Sequence, residues 1–217
     1  MTDIRAILFD NDGTLVDTYE AILTCFKYAT KKVLHTDIPE AELMAKVGQP
    51  LRVQMWDFTD DPEVHQALCD AYWERGITVH DEKAHLFEGV KETLQELQDR
   101  GFAMGVVTSK LHDAAQHGLE LFGIDQYFSC LVSPDDCEGS KPDPAPVVYG
   151  AQLLDIKPEH CLYVGDSPFD MQAGRGAGCT TVAALWGMFP EDVLDQEHPD
   201  IKCRTMKDLL DLECLAR

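Results

Sequence analysis

The sequence predicts an α/β protein with a Rossmann-like core, which is a doubly wound parallel sheet. An all-helical cap subdomain is inserted into this core. A short apolar run near the N-terminus ends in a polar turn. A helical block without strand patterns follows, and beyond it strands and helices alternate. We expect residues 1–16 and 84–217 to form the core, and residues 17–83 to form the cap.

The first predicted strand covers residues 4–9, an apolar run that leads into the polar residues 10–14. From residue 17 to about residue 82, apolar side chains recur at spacings of three and four, as in helices with one buried face. This pattern is shown by Ala21, Ile22, Cys25, Phe26, Ala29 and Val33. A helical block that separates the first strand from the later strands indicates an insertion.

The alternation that begins at residue 88 predicts a parallel sheet, because parallel neighbours need crossover connections that are usually helical. The predicted helices cover residues 90–100, 111–122, 144–154, 169–177 and 206–212, and the predicted strands cover residues 103–108, 130–133, 161–164 and 180–184, with a short strand near residue 201. Residues 188–199 mix Pro, Asp, Glu and His, which favours an ordered surface loop.

The charge of the chain limits its partners. It has 18 Lys and Arg against 39 Asp and Glu, a formal net charge of −21, which repels nucleic-acid backbones and anionic lipid surfaces. We therefore expect no nucleic-acid partner and no membrane partner. The apolar run at residues 6–9 is too short for a signal peptide or a membrane span, so we expect a cytoplasmic protein.

The cysteines and histidines do not predict a metal site of their own. The eight cysteines are widely spaced and contain no CxxC pair, which favours buried, reduced thiols. The eight histidines are scattered, and none stands at metal-ligand spacing from another. We expect surface histidines, or core histidines with satisfied hydrogen bonds.

Polar residues follow several of the predicted strands. In an open parallel sheet, ligands bind beyond the carboxyl ends of the strands, near the point where the strand order reverses. The residues found at or after these strand ends are Asp10, Asn11, Asp12, Thr108, Ser109, Lys141, Asp166 and Asp170. They are the candidate site residues of the core.

Four segments carry a family resemblance. The segments LFDNDGTLVDT, VVTSK, SKPDPAPVVYGA and YVGDSPFDMQAGRGAG resemble the four motifs of the haloacid dehalogenase superfamily in order and spacing. The resemblance spans essentially the whole chain, including a helical cap inserted just after the first motif. It looks closest to the phosphoglycolate phosphatase and pyrophosphatase branch, which implies a phosphohydrolase.

The resemblance implies a role for each acidic residue. Asp10 is implied to attack phosphorus, and Asp12 to protonate the leaving oxygen and then activate water. Asp10, Asp166 and the backbone carbonyl of Asp12 are the implied ligands of Mg²⁺, with Asp170 orienting these ligands or adding to them. From the residues alone, Asp166 and Asp170 are also ordinary helix-capping residues.

The remaining site residues are polar or cationic. The resemblance implies that Thr108 and Ser109 bind the phosphoryl oxygens and that Lys141 steadies the nucleophile and the transferring phosphate. Asn11 replaces the apolar residue often found at its position, and we expect its backbone N–H to bind phosphate. Arg52 lies in a segment that resembles the part of the cap facing the site, where it either binds a second anionic group or is an ordinary surface arginine.

The expected function is that of a Mg²⁺-dependent phosphohydrolase acting on a small anionic phosphate ester or anhydride, phosphoglycolate-like or pyrophosphate, through a phosphoaspartyl intermediate on Asp10. A sugar phosphomutase of the β-phosphoglucomutase type is the alternative, and a catalytically silent binding module is a third interpretation. The expected partner is a small phosphorylated metabolite, and the expected assembly is a monomer or a homodimer.

Overall fold

The computed structural model describes residues 3–216, and in it the first apolar run forms strand β1 (Ala6–Phe9), buried at every residue. The later strands are β2 (Val16–Asp17), β3 (His85–Leu86), β4 (Ala103–Val107), β5 (Cys130–Val132), β6 (Cys161–Gly165), β7 (Thr180–Ala184) and β8 (Ile201–Cys203). The strand order in the main sheet is β5-β4-β1-β6-β7-β8, and every neighbouring pair is parallel. The order reverses beside β1, which confirms the predicted doubly wound α/β fold.

The helices of the described residues either flank this sheet or lie in the segment between β2 and β3. They are α1 (Tyr19–Leu34), α2 (Glu40–Met44), α3 (Leu51–Gln54), α4 (Pro62–Lys83), α5 (Val90–Asp99), α6 (His112–Phe122), α7 (Ala145–Leu153), α8 (Pro168–Ala177) and α9 (Glu191–Asp195). Short 3₁₀ turns cover Met55–Phe58, Asp125–Tyr127, Pro158–His160, Met206–Asp211 and Glu213–Leu215. Among the described residues, no helix combines the length and the apolarity needed to cross a bilayer.

One local prediction was wrong. The expected loop at 188–199 contains α9, which begins with acidic residues in its first turn and buries Leu194. A helix of one turn is too short to show a periodic pattern. The predicted helix at 206–212 is present as a 3₁₀ helix, Met206–Asp211, whose start is fixed by a capping box between Thr205 and Asp208.

The helical segment α1–α4 lies between β2 and β3, which pair antiparallel through Val16↔Leu86 and Asp17↔His85. The chain therefore leaves the sheet and returns to it at neighbouring points. Within the segment, α1 packs along α4, and the ring of Phe26 lies 5.0 Å from that of Tyr72. The boundaries 1–16, 17–83 and 84–217 stay a prediction, and residues 1, 2 and 217 lie outside the described residues.

Strand β1 contributes to two hydrophobic clusters, because successive side chains of a strand point to opposite faces of a sheet. Ile7 and Phe9 belong to one cluster, and Ala6 and Leu8 belong to the other. Burying a large apolar side chain in this way contributes roughly 1.5–3 kcal/mol. The residue that follows β1 is therefore held by a strand packed on both faces.

Candidate active site

Asp10 and Asp166 lie at the carboxyl ends of β1 and β6, which are adjacent strands. Phe9 pairs with Val164, and the Asp10 N–H donates to the Val164 carbonyl at 2.9 Å. Both aspartates are buried, with 3% and 2% of their surface exposed. Asp170, on the first turn of α8, joins them, and one carboxylate oxygen from each of the three lies within 4.8 Å of the others.

Lys141 lies among these carboxylates and is 2% exposed. Its Nζ is 2.9 Å from Asp10 Oδ1 and 2.6 Å from Asp170 Oδ1. Burial lowers the pKa of Lys141, but the charges of Asp10 and Asp170 outweigh burial and raise it overall. Lys141 is therefore a fixed cation beside the residue that the sequence predicts to be the nucleophile.

Asp170 accepts hydrogen bonds at both of its carboxylate oxygens. Its Oδ1 accepts from Lys141 and from the Tyr163 hydroxyl, at 2.6 and 3.0 Å. Its Oδ2 accepts from the Ser167 N–H, and the two residues form the capping box of α8. Asp170 therefore caps α8 and also lies in the site, where it holds Lys141 in position. Its direct contact with a metal ion stays a prediction.

Asp166 is held by the loop after β1 and the loop after β7. Its Oδ1 accepts from Thr14 Oγ1 at 3.1 Å, and its Oδ2 accepts from the Met188 N–H at 2.7 Å. A Cβ atom added at Gly13, where φ is +84°, or at Gly187 would come within 2.2 Å of Asp166 side-chain atoms. Glycine at both positions therefore leaves the space that the carboxylate occupies.

Burial changes the acidity of the two strand-end carboxylates. It raises the pKa of Asp166 to about 7, with a further contribution from the charge of Asp170. Burial and the charge of Asp170 also raise the pKa of Asp10 well above its usual range, although Lys141 opposes this. Taking a carboxylate out of water disfavours its charged form.

The residues fit a divalent cation. Three buried carboxylates face one buried ammonium group, so negative charge is in excess, and the raised pKa values of Asp10 and Asp166 show that this charge is unfavourable without a further cation. Carboxylate oxygens are the ligands that Mg²⁺ prefers. Asp10, Asp166 and Asp170 can therefore hold a metal ion.

Lys110 is a site residue that the sequence analysis missed. Its Nζ lies 3.0 Å from Asp12 Oδ1 and 3.4 Å from Oδ2. Asn11 Nδ2 also donates to Asp12 Oδ1, at 3.1 Å. Burial raises the pKa of Asp12, but the charge and hydrogen bond of Lys110 outweigh burial and lower it overall. The signal was present in the sequence, because Lys110 directly follows the Thr-Ser pair of the second motif.

Thr108 and Ser109 lie beyond β4, as predicted, but their hydroxyl groups differ in environment. Thr108 is 4% exposed, and its Oγ1 accepts from the Lys110 N–H at 3.2 Å. Ser109 Oγ donates to the carbonyl of Gly48, in the helical segment, at 2.6 Å. Gly48 also lies close to Ser167, since a Cβ added at Gly48 would lie 2.9 Å from Ser167 Oγ. The segment around Gly48 thus contacts two loops of the site.

Asn11 and Arg52 have contacts that the sequence does not indicate. The Asn11 N–H donates to Asp10 Oδ1 at 2.8 Å. The exposed Arg52 packs its guanidinium 4.7 Å from the Trp73 ring centre and donates to Gln66 at 3.2 Å. Both of these Arg52 partners are in the helical segment. Phosphate binding by Asn11, Ser109 and Arg52 stays a prediction.

Comparison with known proteins shows the family to which the chain belongs. The family profile of haloacid dehalogenase-like hydrolases matches residues 7–184. A Caldanaerobacter subterraneus subsp. tengcongensis protein that bears the provisional name pyrophosphatase PpaX is 38% identical over 207 residues, which cover 95% of this chain and 93% of that protein. The pyrophosphatase PpaX of Oceanobacillus iheyensis is 35% identical, with 95% of each chain covered.

A solved structure shows the same relationship. The crystal structure of a predicted phosphoglycolate phosphatase from Haemophilus somnus 129PT superposes with a TM-score of 0.89 at 28% identity, covering 97% of this chain and 98% of that chain. These matches confirm the resemblance to the phosphoglycolate phosphatase and pyrophosphatase branch. The chain therefore belongs to the haloacid dehalogenase-like hydrolases.

Proposed function

We propose that the protein is a Mg²⁺-dependent phosphatase or pyrophosphatase that releases inorganic phosphate from a small anionic phosphate ester or anhydride. The observation on which this rests is the buried group of Asp10, Asp166 and Asp170 around Lys141. The relatives named pyrophosphatase and the solved structure titled as a predicted phosphoglycolate phosphatase support the same class of substrate.

In the first half-reaction, Asp10 attacks phosphorus and forms an acyl phosphate, while the bond to the leaving oxygen breaks. The Asn11 N–H donates to Asp10 Oδ1, and the Lys141 ammonium forms an ion pair with the same oxygen, which fixes the rotation of the carboxylate. Asp12 gives its proton to the leaving oxygen. Lys141 neutralises part of the negative charge that the phosphoryl group brings beside Asp10.

In the second half-reaction, Asp12 accepts a proton from water as the water oxygen attacks the phosphorus of the acyl phosphate. The phosphorus–Asp10 bond breaks, inorganic phosphate leaves and both aspartates return to their starting states. Mg²⁺ bound by Asp10 and Asp166 would supply the positive charge that lets two anions, carboxylate and phosphoryl group, approach each other. Asp170 keeps Lys141 oriented through both steps.

The position of Lys110 favours a substrate whose leaving group is anionic. Its ammonium lies beside Asp12, the residue to which we assign protonation of the leaving oxygen. A second phosphate or a carboxylate on the leaving group would bind that ammonium as a charge-assisted partner. Pyrophosphate and phosphoglycolate both have such a group, and this favours them over substrates with a neutral leaving group.

A substrate panel tests the proposal. Inorganic phosphate release is measured for pyrophosphate, phosphoglycolate, a sugar phosphate and a nucleoside monophosphate, each with Mg²⁺ and with a chelator. We expect turnover of one of the first two with Mg²⁺, and its loss in Asp10→Asn. Asp113→Asn, which changes an exposed carboxylate on α6, is the matched control and is expected to keep full activity.

Two results would contradict the proposal. Phosphate release that persists in Asp10→Asn would exclude Asp10 as the nucleophile. Isomerisation of a sugar phosphate that requires a bisphosphate activator, without net phosphate release, would identify a phosphomutase instead.

A further inference from the structure

His80, Asp81 and His117 form a second cluster of side chains that could ligate a metal, and it shares no residue with the group of Asp10, Asp166 and Asp170. Asp81 Oδ1 lies 3.2 Å from His80 Nδ1 and 2.9 Å from His117 Nε2. One ligand atom from each residue lies within 4.8 Å of the others. Sequence spacing does not indicate this cluster, because 36 residues separate Asp81 from His117.

We propose that His80, Asp81 and His117 bind a divalent transition metal ion of the zinc class. Two imidazole nitrogens and one carboxylate oxygen are a ligand set that Zn²⁺ accepts, whereas Mg²⁺ prefers an all-oxygen set. The two histidines already direct a nitrogen towards the same carboxylate oxygen, so the ligands need little reorientation. The site would thus differ in metal preference from the one formed by Asp10 and Asp166.

The burial of the cluster is uneven in a way that suits an ion. The His80 side chain is 13% exposed, and its Nδ1 is the nitrogen that faces Asp81 and would bind the ion. The side chains of Asp81 and His117 are 45% and 56% exposed. An ion can therefore reach the site from solvent, and water can complete its coordination on the exposed side.

An ion bound by this cluster would contact both the helical segment and the core. His80 and Asp81 are in the last turns of α4, in the helical segment, and His117 is on α6, which flanks the sheet. The His80 ring lies close to α6, since a Cβ added at Gly118 would be 3.2 Å from its Cε1. A bound ion would therefore link the helical segment to the core and stabilise their present arrangement.

Zinc binding tests the proposal directly. ZnCl₂ is titrated by calorimetry into the full chain with saturating Mg²⁺ present, and the location of the metal is checked by anomalous scattering at the zinc edge. His117→Gln is compared with His112→Gln, which changes a half-buried histidine on the same helix with its own carboxylate partner, Asp136. We expect at least tenfold weaker zinc binding in His117→Gln and less than twofold change in His112→Gln.

The proposal also predicts that Zn²⁺ raises the melting temperature of the native protein and of His112→Gln, but not that of His117→Gln. A loss of affinity below tenfold in His117→Gln would overturn the proposal. Zinc density confined to Asp10 and Asp166 would also overturn it. These readouts do not depend on turnover, so a failure here is distinct from a failure of the proposed hydrolase activity.

Discussion

Lys110 Nζ lies 3.0 Å from Oδ1 of Asp12, a residue 98 positions earlier in the chain. This ion pair lowers the pKa of the carboxyl group that we assign as proton donor. A proton donor needs its proton, so the pair suits an enzyme whose substrate draws the ammonium away from Asp12. An anionic leaving group would do this, because it competes with Asp12 for Lys110.

Replacement of Lys110 by Met tests that relationship. We expect Lys110→Met to lower kcat/KM for pyrophosphate or phosphoglycolate by roughly tenfold to a hundredfold, the effect of losing a hydrogen bond to a charged group. The loss with 4-nitrophenyl phosphate, whose leaving group has no second phosphate or carboxylate, is expected to be smaller. Lys91→Met, at an exposed position of α5, is the control. Equal losses on both kinds of substrate would contradict the assignment.

Replacement of Lys141 by Met tests the charge balance of the site. Removing the ammonium leaves Asp10 and Asp170 buried without their cation, and breaking such a pair costs about 3–5 kcal/mol. We expect a loss of this size in the free energy of unfolding by urea, measured at pH 7 with a chelator. The double variant Lys141→Met/Asp170→Asn removes one of the two buried charges left without a cation and is expected to regain part of the stability. No recovery would show that the loss has another origin.

The stability of the Mg²⁺-free protein is expected to fall as the pH rises, whereas the stabilisation caused by Mg²⁺ is expected to increase. The pKa of Asp166 is raised from 3.8 to about 7 in the folded protein. Its contribution to stability is therefore fully present below about pH 4 and is lost as the pH rises through 7. The raised pKa of Asp10 acts in the same direction.

Mg²⁺ binds the ionised carboxylates, so the rise in melting temperature that it causes should increase between pH 5 and pH 8. Thermal denaturation with Mg²⁺ and with a chelator measures this difference at each pH. Asp166→Asn is expected to remove most of the Mg²⁺ effect. A Mg²⁺ effect that is largest at pH 5 would contradict the assignment of these carboxylates as ligands.

The glycine beside Asp166 is expected to be essential for metal binding. A Cβ at Gly187 would come within 2.2 Å of Asp166 Cβ and 2.4 Å of the Gly13 carbonyl oxygen. We expect Gly187→Ala to displace Asp166 and to weaken Mg²⁺ binding by at least tenfold, measured by calorimetry. Gly76→Ala is the matched control, because a Cβ there meets nothing within 4 Å. Unchanged Mg²⁺ affinity in Gly187→Ala would show that Asp166 does not hold the ion.

Much of the fold could be predicted because its signals are local. The buried run before Asp10 and the alternation after residue 88 each show a periodic pattern within a few residues. The same patterns placed Asp10 and Asp166 at strand ends, where parallel strands bring polar residues together. The ribbon of β2 and β3 is two residues long on each side and could not be recognised in this way.

The rest of the site depends on contacts between distant parts of the chain. Lys110 became a site residue through Asp12, and His117 became a ligand candidate through Asp81. Neither pair has a sequence spacing that indicates contact, because the two members of each pair are brought together by the tertiary fold and not by a local periodic pattern. Ser109 shows the same limit, since its hydroxyl reaches the carbonyl of Gly48 in the helical segment.

Detection of the phosphorylated enzyme tests the central claim most directly. The protein is mixed with pyrophosphate or phosphoglycolate and Mg²⁺, quenched in acid within the first turnover and digested for mass spectrometry. The mechanism predicts one phosphoryl group on the peptide that contains Asp10, and none on that peptide in Asp10→Asn. Rapid phosphate release with the phosphoryl group on another residue, or with unmodified enzyme at every quench time, would contradict it.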